Sequence, residues 1–108
     1  MEKLFTYGSL RSKEVQKKLF GRELVGKPDA LHNFSVSLIE ISGIKYPIAE
    51  PKIGGRISGI VYQLSEDEFR RTDVYEGEKY ERTKLKLESG DESWVYICKP
   101  NPDSNVVH

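Results

Sequence analysis

Cysteine is almost missing from this chain. The 108 residues hold one, Cys98, so no internal disulfide can form and no cysteine-based metal spacing exists. Histidine is scarce as well. His32 lies far from His108 in sequence, and neither is paired with a serine or cysteine in a recognisable nucleophilic arrangement. An excess of one charge is also absent. Lys+Arg and Asp+Glu both number 17, which leaves no basic stripe for a nucleic-acid partner. No apolar run is long enough to span a membrane. The start, Met1-Glu2-Lys3, has no apolar signal segment behind it, and a reducing, cytoplasmic location is expected. Phosphate-cradling loops of the Walker or Rossmann kind are missing, so no cofactor and no metal are expected. Any chemistry must come from carboxylates, hydroxyls and backbone amides.

What remains reads as one α+β domain over 1–98, followed by a loose polar tail over 99–108. Lys3 to Tyr7 is a run of β-formers, broken by Gly8-Ser9. Ser12 can cap a helix over 12–20, with Val15, Leu19 and Phe20 on one face and Gly21 as its stop. His32 falls near a turn, and 31–41 reads as a strand ending at Ser42-Gly43. Pro51, Gly54 and Gly55 predict a loop over 49–55, before a strand from Arg56 to Leu64. Gly59 inside that strand suggests a bulge or a close backbone approach. Ser65-x-x-Glu68 is a capping box, opening a helix to about Tyr75 with Gly77 after it. Alternation over 80–88 and a return at Ser93–Cys98, joined by Ser89-Gly90-Asp91, predict a hairpin. Cys98 and Trp94 read as core residues. The expected architecture is a small, mostly antiparallel β-barrel of about six strands, flanked by two short helices.

Two segments carry chemical interest. Tyr7-Gly8-Ser9-Leu10 takes the chain from a strand through glycine toward a helix. Its amides could hold an anion, or it could simply end a strand. Glu76 sits at the negative end of its helix, one turn after Asp73 and just before Glu78. Those neighbours should raise its pKa and tune it as an acid or base, unless it is merely solvated.

The order of Phe5-Thr6-Tyr7-Gly8-Ser9-Leu10, Tyr46-Pro47, Gly59-Ile60-Val61-Tyr62, Asp73-Val74-Tyr75-Glu76-Gly77, Tyr80-Glu81-Arg82 and Trp94-Val95-Tyr96 resembles the γ-glutamylcyclotransferase-like (avirulence-induced-gene-like) superfamily over residues 3 to about 97. The resemblance implies an enzyme forming 5-oxoproline from a γ-glutamyl amine, amino acid or peptide, with that small molecule as its partner. It implies Glu76 as catalytic acid/base and Tyr7, Gly8, Ser9 and Leu10 around the substrate. Tyr80, Arg82 and Tyr96 would stand near the pocket. Thr72 departs from the leucine common in the family, and Arg11 falls at a variable position. A non-catalytic binding module on the same barrel, or a plain interaction domain, would be the alternatives. The leaving amine, read by residues in 42–56, and the oligomeric state stay open.

Overall fold

Two serines start the two helices of the fold. The computed structural model describes residues 2–98, without the side chains of Ile41 and Cys98. The tail expected at 99–108 and the burial expected of Cys98 lie outside the described residues. Strand β1 (Glu2–Thr6) runs into a one-turn 3-10 helix (Ser9–Arg11) and then α1 (Lys13–Phe20). Ser12 Oγ accepts from the Val15 amide at the start of α1, and Gly21 ends it in the left-handed region at φ 73°. Strands β2 (Gly26–Ile41) and β3 (Ile44–Leu64) form a long hairpin. Helix α2 (Glu66–Glu76) follows, then β4 (Tyr80–Lys86) and β5 (Glu92–Cys98). The sheet order is β2-β3-β1-β5-β4, antiparallel throughout except where β1 and β5 run parallel.

The sheet curls into a half-barrel. The Glu88 amide donates to the Ala30 carbonyl at 2.8 Å, and Ser89 Oγ donates to Asp29 at 2.6 Å. The turn after β4 thereby meets β2, the strand at the other edge, at Asp29 and Ala30.

Residues 49–55, expected as a loop, are strand. The ladder slips between His32 and Phe34, where Asn33 takes φ 65° opposite Gly54 at φ 82°, and Asn33 Oδ1 accepts from the Gly54 amide. The glycines therefore mark a bulge in a continuing strand, and Pro51 lies within that strand. Pro51 is tolerated because β1 pairs only with Ile60–Leu64, leaving one side of β3 without a ladder there. Joining these pieces makes five strands among the described residues where about six were expected. His32 likewise lies inside β2, against Arg56, and not in a turn.

Successive β1 side chains serve different cores, as strand alternation requires. Leu4 packs with Leu10, Phe20, Leu64, Phe69 and Tyr96 beneath the helices. Phe5 packs with Leu31, Ala49, Ile57, Leu87 and Val95 inside the curl. Trp94 is only partly buried and lies against the first group. Thr72 is fully buried on α2, and its hydroxyl donates to the Glu68 carbonyl one turn back at 2.8 Å. Gln16 is also buried. Its amide donates to the Leu10 carbonyl and accepts from the Leu24 amide, both at 2.8 Å, which pins the 3-10 turn to α1.

Glu68 ties α2 to the segment that follows α1. It completes the capping box with Ser65 and makes two hydrogen bonds of 2.9 Å to Arg22. The Arg22 bonds, and secondarily those of Ser65, hold its carboxyl down at about 2, against the desolvation that opposes them. A lowered carboxylate pKa contributes stability above the unfolded value, and this is lost as pH falls through the folded one. Arg22 is half exposed, so the contribution is roughly 1–2 kcal/mol. Glu68→Gln should therefore melt lower than the parent at pH 7, with the two converging near pH 2. A constant gap in thermal melts across that range would remove the ion pair from the explanation.

Candidate active site

β1 and the turn after it form one wall of a cavity, and α2 ends at the other. The cavity measures about 300 Å3, at the lower end of the range for small-molecule sites. Phe5, Thr6, Tyr7, Gly8 and Ser9 line it from the first wall, and Tyr75 and Glu76 from α2. Tyr46 and Pro47 of β3, Tyr80 of β4 and Tyr96 of β5 complete it.

The walls are tied together by hydroxyls. Ser9 Oγ and the Tyr75 hydroxyl share a hydrogen bond of 2.6 Å, which fixes the turn against the last turn of α2. Tyr7 donates to the Tyr96 carbonyl at 3.1 Å. Tyr80 donates to the Pro47 carbonyl at 2.7 Å, fastening β4 to the hairpin arm. Tyr96 donates to Asp73 Oδ1 at 2.6 Å, and Arg82 Nε pairs with the same oxygen at 3.2 Å.

Glu76 is the one carboxylate among the residues lining this cavity. Its pKa is pushed up to about 7, and the cause is burial. The direction matches the sequence reading, but the mechanism differs. Asp73 is engaged by Tyr96 and Arg82, and Glu78 is exposed and lines a neighbouring groove. Loss of water, not like charge, makes this group hold its proton. Tyr96 is shifted too. Burial first, then the hydrogen bond to Asp73, push its phenol above the ordinary tyrosine value, and the Glu76 charge adds in the same direction.

Tyr7, Gly8, Ser9, Glu76, Tyr80 and Tyr96 thus meet around one space. Two sequence candidates stand elsewhere. Leu10 is 2% exposed and packs into the core under the helices, so only its backbone belongs to the turn. As first residues of a helix, Ser9 and Leu10 have amides with no intrahelical acceptor. Arg82 lines the neighbouring groove, with its guanidinium over the Phe69 and Trp94 rings at 4.6 and 5.1 Å. Its link to the cavity is Asp73, which accepts from Tyr96. Sequence reasoning did not single out Thr6 or Tyr75 as site residues. Their places in two quoted motifs, one residue before Tyr7 and one before Glu76, were the available signal. Tyr46 and Pro47 do come from 42–56, though from a strand.

Among the described residues, no group of three or more His, Cys, Asp and Glu side chains is arranged to hold a metal ion. No helix among them is long and apolar enough to cross a membrane.

Comparison with known proteins agrees with this fold. The profile of the family described as "Gamma-glutamyl cyclotransferase, AIG2-like" matches residues 4–108. AIG2-like protein D of Arabidopsis thaliana is 30% identical over 116 residues, covering 95% of this chain and 72% of its own length. An Arabidopsis thaliana protein of known solution structure is 26% identical with a TM-score of 0.74, over 94% of this chain and 72% of that one. A solved γ-glutamyl cyclotransferase shares the fold with a TM-score of 0.76 at 16% identity, over 91% of this chain and 66% of that one.

Proposed function

The chain belongs to the γ-glutamyl cyclotransferase, AIG2-like family, and from that membership we propose that it releases 5-oxoproline from a γ-glutamyl amine, amino acid or peptide. The observation that carries the reading is Glu76. It is a carboxylate whose pKa stands at about 7 through burial, lining one cavity with the Tyr7-Gly8-Ser9 turn. A carboxyl near neutrality can both take and return a proton at working pH.

The substrate's α-ammonium must lose a proton before its nitrogen can attack. The Glu76 carboxylate accepts that proton. The freed nitrogen adds to the γ-carbonyl carbon, and the new C–N bond closes a five-membered ring. Glu76 then gives its proton to the departing nitrogen as the old C–N bond breaks and, a carboxylate again, takes the second proton from the ring nitrogen and passes it to the released amine, which leaves as an ammonium while Glu76 returns to the carboxylate. The Ser9 and Leu10 amides would bind an anionic oxygen, either the α-carboxylate or the ring-closing oxyanion. Holding a flexible chain in ring-closing geometry lowers the barrier by as much as about 7–11 kcal/mol in the best cases. A single cysteine is in keeping with a reducing, cytoplasmic setting.

The test is 5-oxoproline release from a panel of γ-glutamyl compounds, measured beside Glu76→Gln. Turnover of none of them by the parent protein would overturn the proposal. Ser9 is not needed as a nucleophile, since the attacking nitrogen is the substrate's own, and its hydroxyl is bonded to Tyr75. Ser9→Ala should keep kcat/KM within roughly tenfold of the parent, whereas removing a nucleophile costs on the order of 10⁶ in kcat. A loss of that larger size would put Ser9 into the covalent chemistry.

A further inference from the structure

Asp73 has no contact role in the reaction described, yet it governs a wall of the cavity. A phenol has one proton to donate and lone pairs that accept. Tyr96 spends its proton on Asp73 at 2.6 Å. The direction of that bond is set, because Asp73 is the ion-pair partner of Arg82 and an ionised carboxylate only accepts. Arg82 is itself held over the Phe69 and Trp94 rings, so the carboxylate is braced from behind. The Tyr96 oxygen is therefore left with lone pairs, and no proton, to offer a ligand in the cavity that Tyr96 lines. It does so beside a second acceptor, the Glu76 carboxylate.

We infer that Asp73 is a positioning residue that polarises Tyr96 into a hydrogen-bond acceptor for a cationic donor, the α-ammonium of the γ-glutamyl moiety. This rests on the reading of the cavity as a γ-glutamyl site. An ammonium offers three donors and no acceptor. One N–H would go to Tyr96 Oη and another to Glu76, the group that then takes that proton. Tyr96 keeps its own proton throughout, since burial and both neighbouring carboxylates oppose its ionisation. Replacing Asp73 by asparagine would reverse the polarity. An amide N–H can donate to Tyr96 Oη, releasing the phenol proton toward the cavity, where it would confront the ammonium.

The experiment uses paired ligands. One is the γ-glutamyl compound that the parent protein turns over fastest. The other is its glutaryl counterpart, identical except that hydrogen replaces the α-ammonium, measured as a competitive inhibitor. Asp73→Asn and Tyr96→Phe should each raise KM for the first by roughly 10- to 100-fold, the range for a hydrogen bond to a charged group. The change in kcat should be much smaller, and Ki for the glutaryl compound should move less than about threefold. The double variant should lose little more than either single one, since both remove the same contact. Equal weakening of both ligands, or additive losses, would reduce Asp73 to a structural role and overturn the inference. So would an unchanged KM in Asp73→Asn with its melting temperature preserved. If the parent turns over nothing, titration calorimetry on the same pair of ligands decides the point separately. An Asp73-dependent preference for the ammonium ligand would keep this inference while the cyclisation reading fails. No preference would remove both.

Discussion

Glu76→Gln should lower kcat/KM by at least about 10²–10⁴-fold, the range for a general acid–base group, and the same change should make the protein more stable in alkali. The two effects have one origin. Burial lifts the folded-state pKa of Glu76 from an ordinary 4.5 to about 7. Below pH 4.5 the group is protonated in both states and contributes no difference. Between those values the unfolded chain releases its proton while the folded one retains it, so stability falls as pH rises. Above pH 7 the folded protein carries the full desolvation cost. At 1.36 kcal/mol per pKa unit, and with the side chain only partly buried, that cost is about 2–3 kcal/mol. Glutamine keeps the shape and removes the charge. Chemical denaturation at pH 4 and pH 8 checks this. The variant should match the parent at the first pH and exceed it at the second. In the parent, kcat/KM should rise with pH through about 7, as Glu76 becomes the base that the reaction begins with. A variant with full turnover, or a parent rate flat across that range, would remove Glu76 from proton transfer.

Gly59→Ala should cost about 3 kcal/mol, at the upper end for overpacking, and lower Tm by roughly 10–20 °C. A Cβ at Gly59 would stand 2.5 Å from the Thr6 carbonyl and 2.7 Å from Phe5 Cζ. The Phe5 ring can shift, but the carbonyl belongs to β1, at the point where Thr6 pairs with Ile60. Relief requires moving the strand end that leads into Tyr7-Gly8-Ser9, so turnover should fall along with stability. Gly8→Ala is the contrasting case. A Cβ there meets nothing within 4 Å, and Gly8 lines the cavity. Its Tm should stay within a degree or two while KM rises. Thermal melts beside steady-state kinetics separate the two outcomes. A Gly59→Ala protein as stable as the parent would mean that β1 has slack which the close approach denies.

Local chemistry was legible in the sequence wherever a short motif has one structural meaning. The serine caps at Ser12 and Ser65, the left-handed stop at Gly21 and the Ser42-Gly43 turn all follow from rules that span four residues or fewer. The meeting of Gly8 and Ser9 with Glu76 around one cavity was anticipated through the family resemblance. Composition alone could not join residues so far apart. The stretch 49–55 was misread because proline and glycine punctuate bulges as well as loops, and only the partner strand, with Asn33 facing Gly54, decides which. Glu76 was given the right shift with the wrong cause. Which acid neighbours are already engaged depends on Tyr96 and Arg82, and both come from strands beyond the helix that carries Asp73. Gln16 shows the same limit. A polar residue on the inner face of α1 is invisible to hydrophobic periodicity until its two backbone partners are in view.

The parallel pairing of β1 with β5 has a consequence for how the protein is made. Phe5 lies beside Val95, and Tyr7 reaches the Tyr96 carbonyl across 89 positions of sequence. Strand β1, made before the other described strands, waits for the last of them. The β2–β3 hairpin and both helices can form from local contacts while synthesis proceeds, but the cavity lacks Tyr96 until β5 inserts between β1 and β4. A nascent chain stalled before β5 would carry Tyr7, Gly8, Ser9 and Glu76 together with an unfilled sheet position, and no enclosed site. Activity should therefore appear in one step at the end of folding, with no partly competent intermediate before it.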